Sequence, residues 1–311
     1  MKVLIGSNGG LTGVYLAKQL RQIPGLYLYG ADATETTVGK FFVDKQCLLP
    51  RATAPDFLQK LLTLFRQEGI DVYLPTHSQE MIVVAKNADA IRAQSSVRFL
   101  VSPYVTYEAL DNKRDANAHL RAIGIPVPAL IEDEPCSYPI LMKSDLGSGG
   151  NGLVRIDHPE VYHAYRSTTP SVSFYQIVRG NEYTLDCMFD AEGKLLGMNQ
   201  RKRVKTIGGA VSITTNAPEF DITPWIERIA AAWCFCGCVN FQYIVQGEIP
   251  YFIDVNLRYP SGGLPLTVQS GLNIPRMTID LLSGKEIVPH AQAQRYSHMT
   301  MFRYFEEVFE E

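Results

Sequence analysis

The chain has 311 residues, of which 46% are hydrophobic and 20% are charged, so it can form a substantial core in two domains or in one large one. Its formal net charge of −3 argues against general nucleic-acid binding, which needs a basic surface. No apolar run approaches the roughly 18 residues of a membrane span. The apolar start of MKVLIGSNGG ends at Ile5, which is not typical of a signal peptide.

Cysteine usage favours reduced thiols in a cytoplasmic protein over a disulfide framework. The six cysteines are Cys47, Cys136, Cys187, Cys234, Cys236 and Cys238. The last three form a C-x-C-x-C segment, which lacks the usual C-x₂₋₄-C spacing of zinc sites and has no histidine pair nearby. We therefore interpret these three residues as buried thiols at the junction of a helix and a strand.

Strands and helices alternate through the first part of the chain. The predicted strands are KVLIGS, LYLYGAD, IDVYLPT and VRFLVS. The predicted helices are TGVYLAKQLRQI, PDFLQKLLTLFRQEG, which Gly69 closes, and a segment from about Gln79 to Ala93. This alternation indicates a parallel sheet with helices packed against it.

The glycines of GSNGGLTG suggest an alternative, an NAD site in which Asp32 would bind the ribose. No G-x-G-x-x-G register fits this stretch, and tight packing of a strand against a helix needs glycine in any case. An NAD-dependent enzyme therefore stays an alternative that requires cofactor binding by this first region.

The segment YEALDNKRDANAHLRAIGIPVP predicts a helix that ends at Gly124, followed by an extended, proline-containing stretch. Lys113 and Arg114 lie early in this helix or just before it. Two basic residues at this position can simply form a solvated helix face.

A lysine followed by a glycine-rich turn occurs in LMKSDLGSGGNGLVRI. Backbone N–H groups of such a loop form a concavity for anions, and the Lys143 ammonium adds a charge that suits phosphate. A Walker A loop places its lysine after the glycines, and a dinucleotide fingerprint opens a helix, whereas LVRI reads as a strand. The pattern therefore predicts a hairpin lid over phosphates, the alternative being an ordinary hairpin with a lysine that faces solvent.

Two later segments carry charged residues on predicted strands. FYQIVRGNEYTLDCMF predicts two strands around a turn at 179–181, with Glu182 and Asp186 on the second. QRKRVKT places Arg201, Arg203 and Lys205 on one side of an extended chain, because strand side chains alternate. The following IGGA favours an anion site over the alternatives of a nuclear-localisation signal or surface charge.

The strands VNFQYIV and YFIDVNLR form the most informative pair. Asn240 and Gln242 share a face of the first, and Asp254, Asn256 and Arg258 share a face of the second. An ordinary half-buried strand also alternates polar and apolar residues. Amide and carboxylate oxygens in register are nevertheless suited to Mg²⁺ bound together with nucleotide phosphates.

Taken in this order and spacing, the motifs resemble the ATP-grasp superfamily along nearly the whole chain. The sequence is most similar to stand-alone proteins that resemble the ATP-binding half of the carbamoyl-phosphate synthase large subunit. The resemblance implies an α/β fold in which a Rossmann-like parallel-sheet domain precedes a two-part ATP-grasp domain. The implied boundaries are residues 1–102 for the first domain, 103–175 for the lid subdomain and 176–311 for the C-terminal subdomain with the metal site.

The resemblance also implies roles for individual residues. It places ATP against Lys113, Lys143, Ser148, Gly149, Gly150, Asn151, Gly152, Gln176, Ile177, Val178 and Glu182. It places Mg²⁺, with Mn²⁺ as an alternative, on Gln242, Asp254 and Asn256. It also implies that Arg258 stabilises the transferring phosphoryl group. This sequence departs from the family pattern in having Asp254 where glutamate is usual and Gln176 where an acidic residue is usual.

We expect an ATP-dependent ligase that joins a small-molecule carboxylic acid to an amine through an acyl phosphate, releasing ADP and phosphate. Arg201 and Arg203 are candidates for binding the substrate carboxylate, because guanidinium suits bidentate recognition. Asp186, water or the substrate is left open as the proton acceptor. The alternatives are a bicarbonate-activating enzyme and a nucleotide-binding partner protein without activity. No nucleic-acid or membrane partner is expected, and a homodimer is left open.

Overall fold

The computed structural model describes residues 1–146, 152–208, 210–217, 220–289 and 298–310. One parallel sheet and two antiparallel sheets run through this part of the chain, which confirms the predicted α/β architecture. Every helix in the described residues is too short or too polar to cross a bilayer.

The first sheet is parallel, as predicted, with strand order β3-β2-β1-β4. Its strands are β1 (Lys2–Gly6), β2 (Tyr27–Asp32), β3 (Lys45–Leu48) and β4 (Val72–Leu74). Its helices are α1 (Leu11–Leu20), α2 (Phe57–Glu68), α3 (Ser78–Lys86) and α4 (Ala88–Gln94), with a 3₁₀ turn at Val38–Phe42. The apolar runs of β1 and β4 are buried because helices cover a parallel sheet.

Details of this first unit differ from the sequence prediction in three places. Asn87 divides the helix expected from about Gln79 to Ala93, and its side chain Nδ2 donates to the Val83 carbonyl at 2.8 Å. The strand expected at VRFLVS is wrong, since Arg98 makes only an isolated bridge to Val72. The short β3 was missed. Gly69 does end α2 as predicted, with a φ of 62°.

Two helices connect the first sheet to the second, α5 (Tyr104–Leu110) and α6 (Lys113–Ala122). The sequence predicted one helix here. Asn112 interrupts it because its side chain accepts hydrogen bonds from the backbone of Arg114 and Asp115 at 2.9 and 3.1 Å. As a result, Lys113 becomes the first residue of α6, and its backbone N–H donates to Asp145 at 2.8 Å.

The second sheet is small and antiparallel, with strand order β5-β8-β6-β7. Its elements are β5 (Leu130–Ile131), β6 (Ile140–Ser144), β7 (Val154–Ile156), α7 (Pro159–Thr168) and β8 (Val172–Gln176). A separate apolar cluster that includes Ile140, Tyr162 and Phe174 holds it together. The predicted hairpin of LMKS with LVRI is confirmed, with Met142 opposite Val154.

The third sheet is antiparallel with strand order β13-β12-β9-β10-β11-β14. Its strands are β9 (Asn181–Phe189), β10 (Leu195–Ile207), β11 (Ala210–Asn216), β12 (Gly237–Gln246), β13 (Ile249–Asn256) and β14 (Thr300–Phe302). Its helices are α8 (Thr223–Ala232), α9 (Leu264–Gln269) and α10 (Ile274–Leu282). The three sheets follow the three predicted segments, although β8 extends across the boundary expected at 175; the division into domains stays a prediction.

The first and third sheets share their apolar cores. One cluster contains Leu4 and Tyr73 of the first sheet together with Leu185 and Phe241 of the third. A second cluster joins β1 to α9 and α10. Burial of this common apolar surface fixes the two sheets relative to each other.

A buried glutamate holds the start of α3 against the end of β1. The Glu80 carboxylate is 4% exposed and accepts from the backbone N–H groups of Thr76 and His77 at 3.2 and 3.4 Å. Gly6 leaves room for it, since a Cβ at Gly6 would lie 2.7 Å from Glu80 Oε2. Burial raises the pKa of Glu80 to about 7, against the lowering effect of these hydrogen bonds.

Glu80→Gln should reduce the loss of unfolding free energy that occurs as pH rises. Because the pKa is raised on folding, stability from this group is fully present below its unfolded value near 4.5 and is lost as pH rises through about 7. Between pH 5 and pH 8 the wild type should therefore lose roughly 2.5 kcal/mol more than Glu80→Gln. Urea unfolding at both pH values measures this, with the exposed Glu227→Gln as control. If Glu80→Gln and Glu227→Gln lost the same unfolding free energy between the two pH values, the raised pKa would not belong to Glu80.

Candidate active site

All three sheets border one large cavity of about 990 Å³. The loop after β4 contributes Thr76 and His77, the start of α3 contributes Ser78 to Glu80, and β6 contributes Lys143. The polar faces of β12 and β13 form another part of the wall. Of the described residues that were predicted to bind ATP, Mg²⁺ or the substrate carboxylate, all except Gly152 line this cavity.

Two lysines approach the cavity from different elements. Lys143 on β6 donates from Nζ to the carbonyl of Ile253 at 2.8 Å, which ties the second sheet to β13. Burial lowers the pKa of the Lys143 ammonium, an effect that nearby Asp254 opposes and Lys113 reinforces. Lys113 and Lys143 thus both line the cavity, and the charge of Lys113 reaches the Lys143 ammonium.

Most of the predicted lid lies outside the described residues, namely Ser148, Gly149, Gly150 and Asn151. Gly152 is described and has a φ of 76°, which favours glycine. Its carbonyl accepts from the Ser144 N–H at 3.2 Å, and a Cβ here would lie 2.9 Å from the Ser144 Cβ. Glycine at this position therefore allows the chain to return tightly to β6.

Gln176 ends β8, Ile177 and Val178 follow it, and all three residues line the cavity. Gly180 brings its backbone against β12, since a Cβ there would lie 1.9 Å from the Val245 carbonyl oxygen. Glu182 follows at the start of β9 and also lines the cavity. Its Oε1 lies 2.7 Å from Arg203 Nε, a contact that the sequence did not indicate.

The predicted polar face of β12 and β13 is confirmed by their register. Gln242 lies opposite Asp254, and Asn240 lies opposite Asn256. Asn256 donates from Nδ2 to Asp254 Oδ2 at 3.2 Å, and its Oδ1 accepts from Arg258 Nη2 at 3.0 Å. Burial lowers the pKa of Arg258, and the charge of Asp254 opposes this effect.

The donor set on this face fits a hard cation with incomplete protein ligation. Asp254 supplies the carboxylate, while Gln242 and Asn256 supply amide oxygens. Among the described residues, no group of three or more His, Cys, Asp and Glu side chains is placed to hold a metal ion. The face therefore suits Mg²⁺ that takes its remaining ligands from nucleotide phosphates and water.

Arg201, which lines the cavity, forms a buried, bidentate ion pair with Asp186. Arg201 Nε lies 2.9 Å from Asp186 Oδ2, and Nη2 lies 3.1 Å from Oδ1, with the side chains 2% and 0% exposed. Gly263 makes room for the guanidinium, since a Cβ there would lie 1.9 Å from Arg201 Cζ. Both carboxylate oxygens of Asp186, which the sequence left open as a proton acceptor, are occupied by this contact.

The predicted common face of β10 extends only as far as Arg203. Register shifts against β11 occur between Arg203 and Lys205 and again between Lys205 and Thr206. Arg201, Arg203 and Thr206 line the cavity, whereas Lys205 is exposed outside it. The prediction for Lys205 is wrong because the bulges reset the alternation of side chains.

The structure brings two further charged residues into the neighbourhood that sequence reasoning missed. Arg303 follows β14, donates from Nη2 to Gly262 at 2.7 Å, and has a pKa lowered by burial and by Arg201. Asp111, between α5 and α6, has a pKa raised by burial, with nearby Lys113 lowering it and Asp254 raising it. The arginine in MFRYF and the aspartate in LDNKRD were visible in the sequence, but nothing local connects either to the cavity.

The cysteines agree only partly with the sequence interpretation. Cys236 and Cys238 are buried, but Cys234 is exposed, and all six cysteines are free thiols. Burial raises the pKa of Cys236 to about 12, which keeps it a thiol.

Comparison with known proteins agrees with this geometry. A family model described as an ATP-grasp in the biosynthetic pathway with Ter operon matches residues 171–302, which include the third sheet. The biotin carboxylase domain dimer of Hydrogenobacter thermophilus 2-oxoglutarate carboxylase, solved with MgADP, ADP and bicarbonate, superposes with a TM-score of 0.74. That match covers 96% of this chain and 72% of the other at 14% identity. The chain has the ATP-grasp fold.

Other ATP-grasp relatives give the same result. N5-carboxyaminoimidazole synthetase from Staphylococcus aureus, complexed with ADP, superposes with a TM-score of 0.73 over 93% of this chain and 79% of that chain, at 14% identity. The arginine-specific carbamoyl phosphate synthase large chain of Halalkalibacterium halodurans is 22% identical over 258 residues, or 75% of this chain. The Clostridium acetobutylicum large chain is 21% identical over 62% of this chain. This chain spans only 24% and 20% of those two relatives.

The predicted resemblance to ATP-grasp proteins and to the carbamoyl-phosphate synthase large subunit is therefore confirmed. The first of these structures was solved with MgADP and the second with ADP, which supports nucleotide binding among proteins of this fold and Mg²⁺ binding in the first. The residue roles predicted from the sequence stay predictions, which the geometry above makes specific enough to test.

Removing the charge of Asp186 should destabilise this ATP-grasp fold strongly. Asp186→Asn leaves the buried Arg201 cation without its counter-ion, which typically costs about 3–5 kcal/mol of unfolding free energy. Urea unfolding at neutral pH measures the loss. The control is Asp89→Asn, which removes an exposed ion pair to Arg92 at 3.4 Å and should cost under about 1 kcal/mol. Similar losses for both variants would show that burial of the Arg201 pair does not matter.

Proposed function

We propose that the protein is an ATP-dependent ligase that joins a carboxylic acid to an amine through an acyl phosphate. The observation that carries the proposal is the convergence in one cavity of two lysines, a hard-ligand face and the arginines Arg201, Arg203 and Arg258. Phosphoryl transfer depends mostly on positioning and on stabilisation of negative charge, and this cavity concentrates positive charge beside a metal-type donor set. The nucleotide-bound ATP-grasp structures support the same assignment.

The nucleotide fits along the wall formed by the second and third sheets. In this proposal Gln176, Ile177 and Val178 contact adenine and Glu182 contacts the ribose. Lys113 and Lys143 bind the phosphates. Gln242, Asp254 and Asn256 hold Mg²⁺, or Mn²⁺ in its place, which would neutralise charge on the bound phosphates.

The proposed reaction has two steps. An oxygen of the substrate carboxylate forms a bond to the γ-phosphorus of ATP, and the bond from that phosphorus to ADP breaks. Arg258 stabilises the transferring group, and Arg201 and Arg203 bind the acid portion. The amine nitrogen then attacks the acyl carbon, loses a proton and displaces phosphate, which leaves an amide.

Bicarbonate is a second candidate for the activated acid. The Hydrogenobacter thermophilus structure, which superposes over 96% of this chain, was solved with bicarbonate as well as MgADP. Bicarbonate would give carboxyphosphate by the same first step, so the same charged residues serve both candidates. A nucleotide-binding protein without activity would not require Asp254 and the arginines to lie together near the proposed position of the nucleotide phosphates.

Lys143→Met should leave the fold intact and lower ATP turnover about 100-fold or more, as for other lost transition-state charges. The reason is that Lys143 Nζ lies in the cavity and donates to Ile253 at 2.8 Å, beside the proposed γ-phosphate position. Release of ADP with a screened acid and amine measures turnover. Lys194→Met is the control because this lysine is exposed on a turn. Unchanged turnover in folded Lys143→Met would remove Lys143 from the site.

An isotope experiment tests the chemistry directly. The protein is given ATP, an amine and a carboxylic acid labelled with oxygen-18, the acid and amine having been identified by a screen for consumption of ATP. The acyl-phosphate route transfers one labelled oxygen into the released phosphate, which mass spectrometry detects. Labelled bicarbonate in parallel distinguishes the second candidate, because it labels phosphate without the organic acid.

The co-product provides an independent check. ADP is expected, since the positive charge lies where it can stabilise a transferring γ-phosphoryl group. Formation of AMP and pyrophosphate, or unlabelled phosphate accompanying amide formation, would rule out the acyl-phosphate route.

A further inference from the structure

The guanidinium of Arg258 is held on three sides. Nη2 donates to Asn256 Oδ1 at 3.0 Å, and Nη1 donates to the Tyr259 carbonyl at 3.3 Å. Nε donates to Ser78 Oγ at 2.9 Å. Asn256 and Tyr259 are chain neighbours of Arg258 and move with it, whereas Ser78 lies 180 residues away in the first unit. Ser78 therefore fixes the guanidinium against a separate part of the fold.

The position of Ser78 is itself tightly determined. It is the first residue of α3, and the preceding Thr76 donates from Oγ1 to the Gly6 carbonyl at 2.7 Å. His77 caps the helix, with Nδ1 accepting from the Gln79 N–H at 3.2 Å. Glu80 completes the capping box, because its carboxylate accepts from the His77 backbone N–H. The Ser78 hydroxyl is thus anchored to the end of β1.

The contact between Ser78 and Arg258 connects two parts of the cavity wall that no sequence motif links. Ser78 lines the cavity from the first unit, and Arg258 lines it from the third sheet. Arginine has a long side chain that loses considerable conformational freedom when it is held in one place. A fixed acceptor at Nε orients the plane of the guanidinium before any ligand binds, and preorganised donors are the most effective in stabilising developing charge.

We propose that Ser78 is a positioning residue that orients Arg258 toward the transferring phosphoryl group. The inference rests on the proposed function, and it assigns to the parallel-sheet unit a direct part in the phosphoryl-transfer site. Ser78 acts through Arg258, so its loss should affect binding of a transition-state mimic much more than binding of the ground-state nucleotide.

The test uses ligands that need no knowledge of the acid or the amine. Isothermal calorimetry measures binding of MgADP alone and of MgADP with aluminium fluoride, which mimics a phosphoryl group in transfer. The variants are Ser78→Ala, Ser78→Thr and Arg258→Lys, with Ser78→Ala also combined with Arg258→Lys. Ser95→Ala is the control, a serine of the same unit that does not line the large cavity.

Ser78→Ala should weaken binding of MgADP with aluminium fluoride about tenfold, consistent with one lost charged hydrogen bond, and change MgADP binding less than about twofold. Ser78→Thr keeps the hydroxyl acceptor and should restore most of the binding. Lysine has no Nε–H at the position of the arginine Nε, so in the Arg258→Lys background Ser78→Ala should have little further effect.

Several outcomes would overturn the inference. Equal weakening of both ligands by Ser78→Ala would indicate a general structural role, and full additivity with Arg258→Lys would show that Ser78 does not act through Arg258. Unchanged binding of both ligands by Ser78→Ala would show that Ser78 does not position Arg258, and it would leave the proposed function standing. Absence of MgADP binding by the wild type would instead reject the proposed function and this inference with it.

Discussion

The side-chain alternation of the third sheet is the constraint on which the candidate site depends. Strands β10, β9, β12 and β13 are neighbours, and their register sets Arg201, Thr184, Gln242 and Asp254 in one row across the sheet. The adjacent row contains Asn199, Asp186, Asn240 and Asn256. The intervening residues, such as Leu185 and Phe241, pack in the core shared with the first sheet. A slip of one residue would exchange these two faces, so burial of the apolar face also secures the polar one.

The charges of this polar face are mutually dependent. Arg201 is matched by buried Asp186, and Arg203 lies 2.7 Å from the Glu182 carboxylate. Arg258 is near Asp254, and burial lowers the arginine pKa while the carboxylate opposes that effect. Such pairing limits the cost of burying these cations and leaves them ordered for an anionic ligand. The proposed ligands, a nucleotide and a substrate carboxylate, carry the negative charge that these cations attract.

The connection between the first and third sheets gives the parallel-sheet unit more than a supporting role. Their common core fixes the two sheets, and the Ser78 contact extends that fixed relation to the guanidinium of Arg258. Glu80 holds the same helix start from the opposite side, and its pKa near 7 makes this anchor sensitive to pH. Structural stability and orientation of the proposed catalytic arginine are therefore linked through one short segment, residues 76–80.

The sequence by itself determined the features with local periodicity. Alternation of period two placed Asp254 and Asn256 on one face of β13, although the strand ends before Arg258, and the glycines after Lys143 indicated the hairpin. It failed where a single side chain interrupts a pattern, as at Asn87, or where bulges reset it, as after Arg203. Only the tertiary structure joined Arg201 to Asp186, Arg258 to Ser78 and Arg303 to Gly262. These contacts link residues far apart in the chain or on neighbouring strands, and chain packing rather than any local pattern decides which of the available partners meet.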